Sequence, residues 1–363
     1  MSLPLAGPPP SVPAVLVPGD GIGPEVMESA RAILTAAGAP IAWDVWGLPD
    51  PQAPEAAPNG ADAFLDAIRD CHIALKGPVT TGVDGRVSFV GLRRRLGLFV
   101  QLRTCRSLPG VPAPFDDVDL VVMREITEDL YAGIEYPAGA EPAERLIAVM
   151  AGYGPAPPSG SGLSVKYVSA PAAQRVLVFA LEWAREHGRR RITVVHKANV
   201  MRATDGLFLA TARETFESVT DLEVDYRLVD NTCLELVRQP EAFDVLVMTN
   251  QYGDIVSDLA SGLVGGPGLV PGASYGDDVA VFEPGHGSAP LHAGRGDANP
   301  TAAIMCGVML LRHVGAEQVA GRVEQAVLEV LAEGRDVTYD VRPGRAGGVS
   351  TATFTEAIIA RLR

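Results

Sequence analysis

The sequence predicts an α/β fold with a largely parallel sheet. Apolar runs of strand length alternate with helical segments along the chain, an order typical of βα units. The chain has 363 residues, of which 47% are apolar and 20% charged, a balance that excludes intrinsic disorder. At roughly 150 residues per domain, such a length predicts two domains or one large composite with a sizeable core.

Strand, glycine-rich turn and helix follow one another at the start of the chain. The apolar residues 14–17 predict a strand, and residues 26–37 have helical periodicity, with Pro24 in the first turn. The same criteria predict, in order, a helix at 62–70, strands at 72–75 and 120–123, a helix at 170–187, a strand at 192–195, a helix at 205–219, a strand at 243–248 and helices at 299–313 and 320–333. Residues 137–162, rich in Ala, Pro and Gly, predict an irregular insertion, and residues 262–294 have few periodic signals.

Charge and cysteine usage restrict the partners and the compartment. The 44 acidic and 30 basic residues give a net charge of −14, which argues against nucleic acid and anionic membranes as partners. No apolar run approaches the roughly 20 residues needed to span a bilayer, and residues 1–11 lack the basic region of a signal peptide. Four cysteines, Cys71, Cys105, Cys233 and Cys306, lie far apart, which favours reduced thiols and a cytoplasmic protein.

Only three of the 30 basic residues are lysines, and two of them, Lys76 and Lys197, follow predicted strands. Lys197 comes just after the strand at 192–195, where a side chain points into the ligand crevice of a parallel sheet. Lysine can lose its proton and act as a base, whereas arginine stays protonated. Chance retention at the surface is the alternative for any single lysine, and Lys166 has no predicted role.

Three arginines form a candidate anion-binding set. Arg103 and Arg124 each follow an apolar run, and with Arg93 their guanidinium forks could clamp a di- or tricarboxylate. The alternative is a solvated surface, which is favoured for the neighbouring Arg94 and Arg95 because a run of three arginines is usually exposed.

Three aspartates form a candidate metal site. Asp254 and Asp258 are four residues apart, so on a helix both carboxylates lie on one face. Together with Asp230, and without a neighbouring Cys or His, they favour Mg²⁺ or Mn²⁺. The spacing leaves a second interpretation open, in which Asp254 caps a helix and Asp258 is solvated. Tyr131 is a candidate acid.

Two glycine-rich loops are candidate ligand loops. Residues 19–23 read GxGxG rather than the GxGxxG of a dinucleotide-binding turn, and an ordinary tight turn is the favoured interpretation. In residues 283–290, small residues surround His286 and allow close backbone approach to a flat or phosphorylated ligand. The alternative is a loop histidine bonded to its own backbone.

Six segments, in this order, resemble the β-decarboxylating dehydrogenase family, which contains isocitrate, 3-isopropylmalate, homoisocitrate and tartrate dehydrogenases. The segments are 18–25 (PGDGIGPE), 75–78 (LKGP), 124–135 (REITEDLYAGIE), 196–199 (HKAN), 250–258 (NQYGDIVSD) and 283–290 (EPGHGSAP). One such motif is weak, whereas six in register are highly specific. With their flanks they extend from about residue 15 to residue 338, nearly the whole chain.

The resemblance implies two interleaved α/β domains around a shared mixed sheet, without the GxGxxG turn. The large domain would comprise residues 1–98 and 265–363, the small domain residues 99–128 and 171–264, and a dimer clasp residues 129–170. The resemblance also implies a homodimer with shared active sites, in which Lys197 and Asp230 come from the partner subunit.

By the same resemblance, the reaction is metal-dependent oxidative decarboxylation of a 3-substituted malate to a 2-oxo acid and CO₂, with reduction of NAD or NADP. Lys197 and Asp230 would take the hydroxyl proton, and Tyr131 would protonate the product carbon. The implied ligands are Arg93, Arg103, Arg124, Ser88 and Asn199 for the substrate, Asp230, Asp254 and Asp258 for Mg²⁺ or Mn²⁺, and Lys76, Thr80, His286, Gly287, Ser288, Ala289, His292, Asn299 and Tyr339 for the nucleotide.

The sequence departs from the isocitrate pattern in the substrate pocket. Val87 and Phe89 stand where isocitrate enzymes present Ser and Asn to the third carboxylate, although Ser88 could partly substitute. Ile126 replaces the usual Asn, while residues 128–135 resemble isocitrate enzymes most. We therefore expect a non-standard substrate of a specialised pathway. The alternatives are a 3-isopropylmalate, homoisocitrate or tartrate-type enzyme and, in another class, a non-catalytic regulatory subunit.

The sequence leaves the choice between NAD and NADP open. NAD-dependent members usually carry an Asp at the position of Leu291, and Leu291–His292 fits neither cofactor type. Tyr339 resembles the NADP type, and Arg342 or Arg345 could reach a 2′-phosphate.

Overall fold

The computed structural model describes residues 11–47, 60–80, 89–342, 344 and 347–362. Its strands are β1 (Val12–Val17), β2 (Ile41–Val45), β3 (Ile73–Lys76), β4 (Val100–Arg106), β5 (Asp119–Glu125), β6 (Glu135–Tyr136), β7 (Leu163–Ser164), β8 (Arg191–His196), β9 (Glu223–Leu228), β10 (Val245–Met248), β11 (Pro271–Tyr275) and β12 (Ala280–Pro284). Its helices are α1 (Gly23–Ala36), α2 (Gly60–Cys71), α3 (Phe89–Arg95), α4 (Glu141–Ala151), α5 (Ala170–Glu186), α6 (Asp205–Phe216), α7 (Val229–Leu236), α8 (Asn250–Leu263), α9 (Thr301–His313), α10 (Glu317–Glu333) and α11 (Thr351–Ile359).

Ten of these strands form one mixed sheet, which confirms the predicted α/β class. Their order is β2-β1-β3-β12-β11-β4-β5-β10-β8-β9. Neighbouring strands in both wings are parallel, whereas three pairs in the centre, β12–β11, β11–β4 and β4–β5, are antiparallel. The periodicity of the sequence did not predict the antiparallel centre. Strands β11 and β12 lie in the glycine-rich residues 262–294, which have few periodic signals.

The register of the parallel wing brings the predicted site residues to one edge. Met248 of β10 pairs with Arg124 of β5 on one side and with Val195 of β8 on the other. All three strands end there, and the chain continues into the N-terminus of α8 and into the turn that contains Lys197. The carboxyl edge of a parallel sheet is the usual place for a ligand crevice.

Helices cover both faces of the sheet and bury its apolar residues. Helices α1, α9, α10 and α11 pack together over the β1–β3–β12 wing, where Phe282 and Phe354 are fully buried. Helices α5 and α6 pack over β8 and β10, with Val176 and Ala180 buried as the periodicity predicts. None of the helices in the described ranges has the length and apolar composition required to cross a bilayer.

The insertion at 137–162 is predicted to be irregular, but part of it is helical. Glu141–Ala151 forms α4, with Pro142 in its first turn and with Ala143 and Ile147, four residues apart, buried on one face. The short strands β6 and β7 pair antiparallel and flank this helix. They lie within residues 129–170, whose role as a dimer clasp stays a prediction, as do the predicted domain boundaries.

Candidate active site

Arg124 is the buried centre of an arginine–aspartate cluster, by which we mean Arg103, Arg124, Tyr131, Asp254 and Asp258. The Arg124 guanidinium, at the end of β5, pairs with the Asp254 carboxylate and donates a hydrogen bond to Asn250 Oδ1 at 3.0 Å. Burial lowers the pKa of Arg124 to about 10, so the side chain stays charged at neutral pH. A Cβ on Gly253 would lie 2.1 Å from the Arg124 Cβ, so α8 reaches this position only with glycine there.

Arg103 adds a second guanidinium to the cluster from the neighbouring strand β4. Its Nη1 donates to Asp258 Oδ1 at 2.6 Å and to Ser257 Oγ at 2.8 Å, and its Nη2 lies 4.0 Å from Asp254 Oδ1. The positive charges of Arg93 and Arg103 both contribute to the lowered pKa of Arg124, which places all three predicted arginines in one neighbourhood.

Asp254 and Asp258 lie on one face of α8, as their spacing predicts. The helix begins at Asn250 with Thr249 as its N-cap, so the alternative interpretation of Asp254 as a cap is wrong. Burial would raise the pKa of Asp254, but the guanidinium of Arg124, the Tyr131 hydroxyl and the charge of Arg103 together outweigh it, and the carboxyl is held ionised. The side chains are 36% and 69% exposed, so both carboxylates are accessible from solvent.

Tyr131 completes the cluster from a 3₁₀ turn at Leu130–Ala132. Its hydroxyl donates a hydrogen bond to Asp254 Oδ2 at 2.8 Å. Burial and the neighbouring Asp254 carboxylate raise the pKa of Tyr131 above its ordinary value, so the hydroxyl keeps its proton at neutral pH. A protonated hydroxyl beside a binding site for carboxylates can act as a general acid.

Lys197 and Asp230 lie together but apart from the cluster. Lys197 Nζ is 2.5 Å from Asp230 Oδ1, and this hydrogen bond lowers the pKa of the Asp230 carboxyl. Neither side chain forms a hydrogen bond or ion pair with Asp254 or Asp258 in the described part of the chain. Asn199 lies exposed in the turn that follows Lys197.

The carboxylates of α8 fit a hard divalent cation. Asp254 and Asp258 offer accessible oxygen donors, the ligands that Mg²⁺ and Mn²⁺ prefer. The described residues contain no group of three or more His, Cys, Asp or Glu side chains arranged to hold a metal ion. The third predicted ligand, Asp230 from a partner subunit, remains a prediction.

Glu283 organises a second buried charge cluster, which the sequence interpretation missed. Arg93 Nη2 lies 2.7 Å from Glu283 Oε1, Lys76 Nζ 2.9 Å from Oε2, and Gln101 Nε2 donates to Oε1 at 2.8 Å. Burial would raise the pKa of Glu283, but Lys76 and Arg93 outweigh it and hold the pKa far below its ordinary value. Arg93 thus binds a protein carboxylate here, whereas Arg103 and Arg124 bind the aspartates of α8.

The glycines at 19–23 hold three loops together. Gly19 and Gly21 have φ values of +78° and +60°, and a Cβ on them would lie 2.1 Å from the Pro78 carbonyl oxygen and 2.0 Å from that of Ser288. The carboxylate of Asp20 accepts hydrogen bonds from the backbone N–H and hydroxyl of Thr80, and Thr80 Oγ1 lies 2.6 Å from Ser288 Oγ. The motif is therefore a tight turn, as predicted, and its glycines permit close packing of the loops.

A cavity of about 530 Å³, here termed the loop cavity, opens beside these loops. Six predicted nucleotide ligands line it: His286, Gly287, Ala289, His292, Asn299 and Tyr339. The cavity wall includes neither Lys76, Thr80 nor Ser288. Burial lowers the pKa of His286, whose buried Nε2 has no hydrogen-bond partner among the described residues. An unpartnered buried nitrogen and a glycine-lined wall fit a polar, flat ligand such as a nicotinamide nucleotide.

Several predicted ligand-binding residues lie outside the described residues, namely Val87 and Ser88 of the substrate pocket and Arg345 near the nucleotide. Phe89 lies within α3, and nothing is described of its side chain. Arg342 is described, and its Nη1 donates a hydrogen bond to the Gly347 carbonyl at 3.0 Å.

Known proteins resemble this chain over most of its length. A family model described as isocitrate/isopropylmalate dehydrogenase matches residues 14–358. The mitochondrial NAD isocitrate dehydrogenase catalytic subunit 5 of Arabidopsis thaliana is 41% identical over 351 residues, which cover 96% of this chain and 87% of the relative. The chloroplastic 3-isopropylmalate dehydrogenase of Solanum tuberosum is 39% identical, over 89% of this chain and 86% of its own. The crystal structure of isocitrate dehydrogenase from Methylococcus capsulatus matches with a TM-score of 0.87 and 42% identity, covering 97% of this chain and 99% of that one.

Proposed function

The chain belongs to the isocitrate/isopropylmalate dehydrogenase family, and from this premise we propose that it oxidises and decarboxylates a 3-substituted malate with NAD and Mg²⁺ or Mn²⁺. One observation carries the proposal: Arg103, Arg124, Tyr131 and the carboxylates of Asp254 and Asp258 meet at the carboxyl edge of the sheet. The two arginines can bind a dicarboxylate, the tyrosine can act as an acid, and the two aspartates can coordinate a divalent cation, all at one site. The intact set favours an enzyme over a non-catalytic regulatory subunit.

Two arginines, Arg103 and Arg124, are proposed to bind the substrate. Each guanidinium presents a planar fork of donors that matches a carboxylate. Arg124 is buried and stays charged, and Arg103 is mostly buried, so both keep fixed directions before the substrate arrives. They would bind the two carboxylates that every 3-substituted malate carries.

The proton transfers are assigned to Lys197 and Tyr131. Lys197 in its neutral form, assisted by Asp230, would take the hydroxyl proton at C2, and the nicotinamide, when bound, would supply the hydride acceptor. Loss of CO₂ from C3 leaves an electron pair there, and the Tyr131 hydroxyl protonates that carbon to give the 2-oxo acid. A divalent cation held by Asp254 and Asp258 would stabilise negative charge on the substrate oxygens.

The assembly proposed for this chemistry is a homodimer with shared sites. Lys197 and Asp230 bind one another, and within the described ranges no hydrogen bond or ion pair joins their side chains to the arginine–aspartate cluster of the same chain. Sites shared across a two-fold axis would bring this pair to the cluster of the partner subunit, with the β6–β7 segment as a clasp. All four cysteines are free, which supports a location in a reducing compartment such as the cytoplasm.

The C3 substituent is proposed to be uncharged. By the family resemblance, Val87 and Phe89 stand where isocitrate enzymes present Ser and Asn to the third carboxylate, and apolar residues at these positions disfavour a charged arm because burial of an unpaired charge is costly. The substrate would then be a 3-alkyl- or 3-arylmalate rather than isocitrate.

The oxidant is proposed to be NAD. Asp340 lines the loop cavity, and Asp297 Oδ1 lies 3.3 Å from Nδ1 of His292, whose ring stacks on Tyr339. A 2′-phosphate would add two negative charges near these carboxylates, whereas a ribose hydroxyl could donate hydrogen bonds to them. Arg342 already donates to a backbone carbonyl.

A panel of 3-substituted malates tests the proposal. Reduced cofactor and CO₂ are measured with Mg²⁺ and either NAD or NADP. We expect kcat/KM for 3-alkylmalates to exceed that for isocitrate by about tenfold or more. We also expect a higher kcat/KM with NAD than with NADP, and Asp297→Ser should reduce the ratio of these two values. Equal and fast turnover of isocitrate and 3-isopropylmalate would contradict a dedicated substrate. Oxidation of none of the malates would contradict the reaction itself, and a preference for NADP would assign a role to Arg342.

A further inference from the structure

Lys166 lies at the centre of a buried charge network outside the arginine–aspartate cluster. Its side chain is only 11% exposed, although it follows the short strand β7. Nζ lies 2.8 Å from Asp205 Oδ1, 3.6 Å from Asp129 Oδ1 and 4.5 Å from the ring centroid of Tyr252. Both aspartates are fully buried, so the ammonium group offsets charge that would otherwise be costly to bury.

Asp129 connects Lys166 to the turn that carries Tyr131. Its Oδ1 accepts a hydrogen bond from the backbone N–H of the following residue at 2.8 Å, and its Oδ2 accepts one from Gln251 N–H at 3.0 Å. Asp129 has a φ of +68°, a left-handed conformation that a non-glycine residue keeps only when its surroundings fix it. The carboxylate therefore fixes both the Tyr131 turn and the first turn of α8.

Asp205 connects the same ammonium group to Lys197. Asp205 begins α6, and its Oδ2 accepts a hydrogen bond from the Lys197 backbone N–H at 2.7 Å. Its Oδ1 faces Lys166. The backbone from which the Lys197 side chain extends towards Asp230 is thereby tied to the network.

We infer that Lys166 is a positioning residue that holds Tyr131 and Lys197 of one chain in place through two buried carboxylates. The inference rests on the proposed function, in which Lys197 accepts the first proton and Tyr131 donates the last. Without the ammonium group, Asp129 and Asp205 are like charges near each other in a buried region, and repulsion displaces both backbone segments. Under the shared-site assembly, Tyr131 and Lys197 of one chain serve different sites, so the network also links the two sites of the dimer.

The test separates the two half-reactions in Lys166→Met, which keeps the length of the side chain and removes its charge. The first is cofactor reduction by the hydroxy acid. The second is formation of the 2-oxo acid from the chemically prepared 2-oxo-3-carboxy acid with Mg²⁺, which needs no hydride transfer. Because a displacement of about 1 Å can cost about 100-fold, we expect both half-reactions to slow by about that factor, with KM changed by less than about threefold. Lys166→Arg, which restores the charge, should regain at least about tenfold of the lost rate.

Arg189→Met is the matched control. Arg189 is 19% exposed and binds Asp119 and Asp244 at 2.8 and 3.0 Å, where β5 and β10 begin and far along these strands from the site. Arg189→Met, like Lys166→Met, should lower the melting temperature, but it should leave both half-reactions within about threefold of wild type, since the contacts it removes with Asp119, Asp244 and Trp183 are remote from the site. The inference is wrong if Lys166→Met slows the half-reactions no more than Arg189→Met, if it slows only one of them, or if Lys166→Arg regains nothing.

Two further variants distinguish a failure of the inference from a failure of the proposed function. Lys197→Ala should slow mainly cofactor reduction, and Tyr131→Phe mainly formation of the 2-oxo acid. If these two variants do not separate the half-reactions, the proposed roles of Lys197 and Tyr131 are wrong. If they do and Lys166→Met behaves like the control, only the positioning role is wrong.

Discussion

The arginine–aspartate cluster and the loop cavity are built in different ways. In the cluster, charged side chains from β4, β5 and α8 hold one another, as Arg124 holds Asp254. Around the cavity, backbone segments approach so closely that only glycine fits, as at Gly21 against Ser288. Loss of a single charge should therefore damage the cluster most, whereas the loop cavity should be most sensitive to an added Cβ.

Lys197→Ala tests whether the cluster needs the separate Lys197–Asp230 pair for turnover. General bases contribute roughly 10²–10⁴-fold to catalysis, so we expect kcat to fall by about 10³-fold. Substrate binding, measured by calorimetry in the presence of Mg²⁺, should be retained because the arginines are untouched. Full activity of the variant would overturn the assignment of the base.

Arg124→Met tests the centre of the cluster. Truncating one partner of a buried charge pair costs about 3 kcal/mol, so kcat/KM for the dicarboxylic substrate should fall roughly 100-fold. Arg94→Met is the control, since Arg94 is exposed and donates to the Thr127 carbonyl at 3.1 Å. Steady-state kinetics of both variants measure the difference, and equal losses would contradict a specific role for Arg124.

Glu283→Gln tests the buried charges between the two regions. Removing the carboxylate leaves Lys76 and Arg93 without this partner, and we expect a loss of about 3 kcal/mol in the free energy of unfolding at pH 7. Because the pKa of Glu283 is lower in the folded protein, its stabilising contribution is present above the ordinary value of 4.5 and declines as pH falls below it. The difference between wild type and variant in urea unfolding should therefore shrink below pH 4.5, and an unchanged difference there would contradict the assignment.

Gly21→Ala tests the loop cavity and has the smallest expected effect. The new Cβ would meet the Ser288 carbonyl, and the loop must move, so the KM for the nucleotide should rise by about tenfold. Gly38→Ala is matched to it, because Gly38 has a φ of +74° with nothing within 4 Å of the added Cβ. The control should lose only about 1 kcal/mol of stability, with the KM unchanged. Equal KM values in the two variants would show that close packing at Gly21 does not shape the cavity.

The sequence predicts the cluster better than its surroundings. Asp254 and Asp258 are recognisable because the four-residue spacing is a local property of a helix. Arg103 and Arg124 are recognisable because each ends an apolar run at a strand. Local pattern was sufficient where the chemistry and the secondary structure lie in the same short segment.

Residues that act across the fold could not be predicted in this way. Glu283 meets Arg93 from 190 positions away, and its role depends on how β3, α3 and β12 come together. Asp129 and Asp205 have ordinary sequence surroundings, and only the structure brings them to one ammonium group. The sequence did contain one signal for the role of Glu283. Its carboxylate directly follows an apolar run, which is unusual unless the carboxylate is paired.

The most direct test of the shared site mixes two chains with impaired turnover, Tyr131→Phe and Lys197→Ala. In a mixed dimer with shared sites, one site receives both altered side chains and the other receives an intact Tyr131 and an intact Lys197. Statistical mixing should therefore restore about one quarter of wild-type activity. If native mass spectrometry shows mixed dimers and activity stays at the level of the separate variants, each chain carries its own complete site and the account is contradicted.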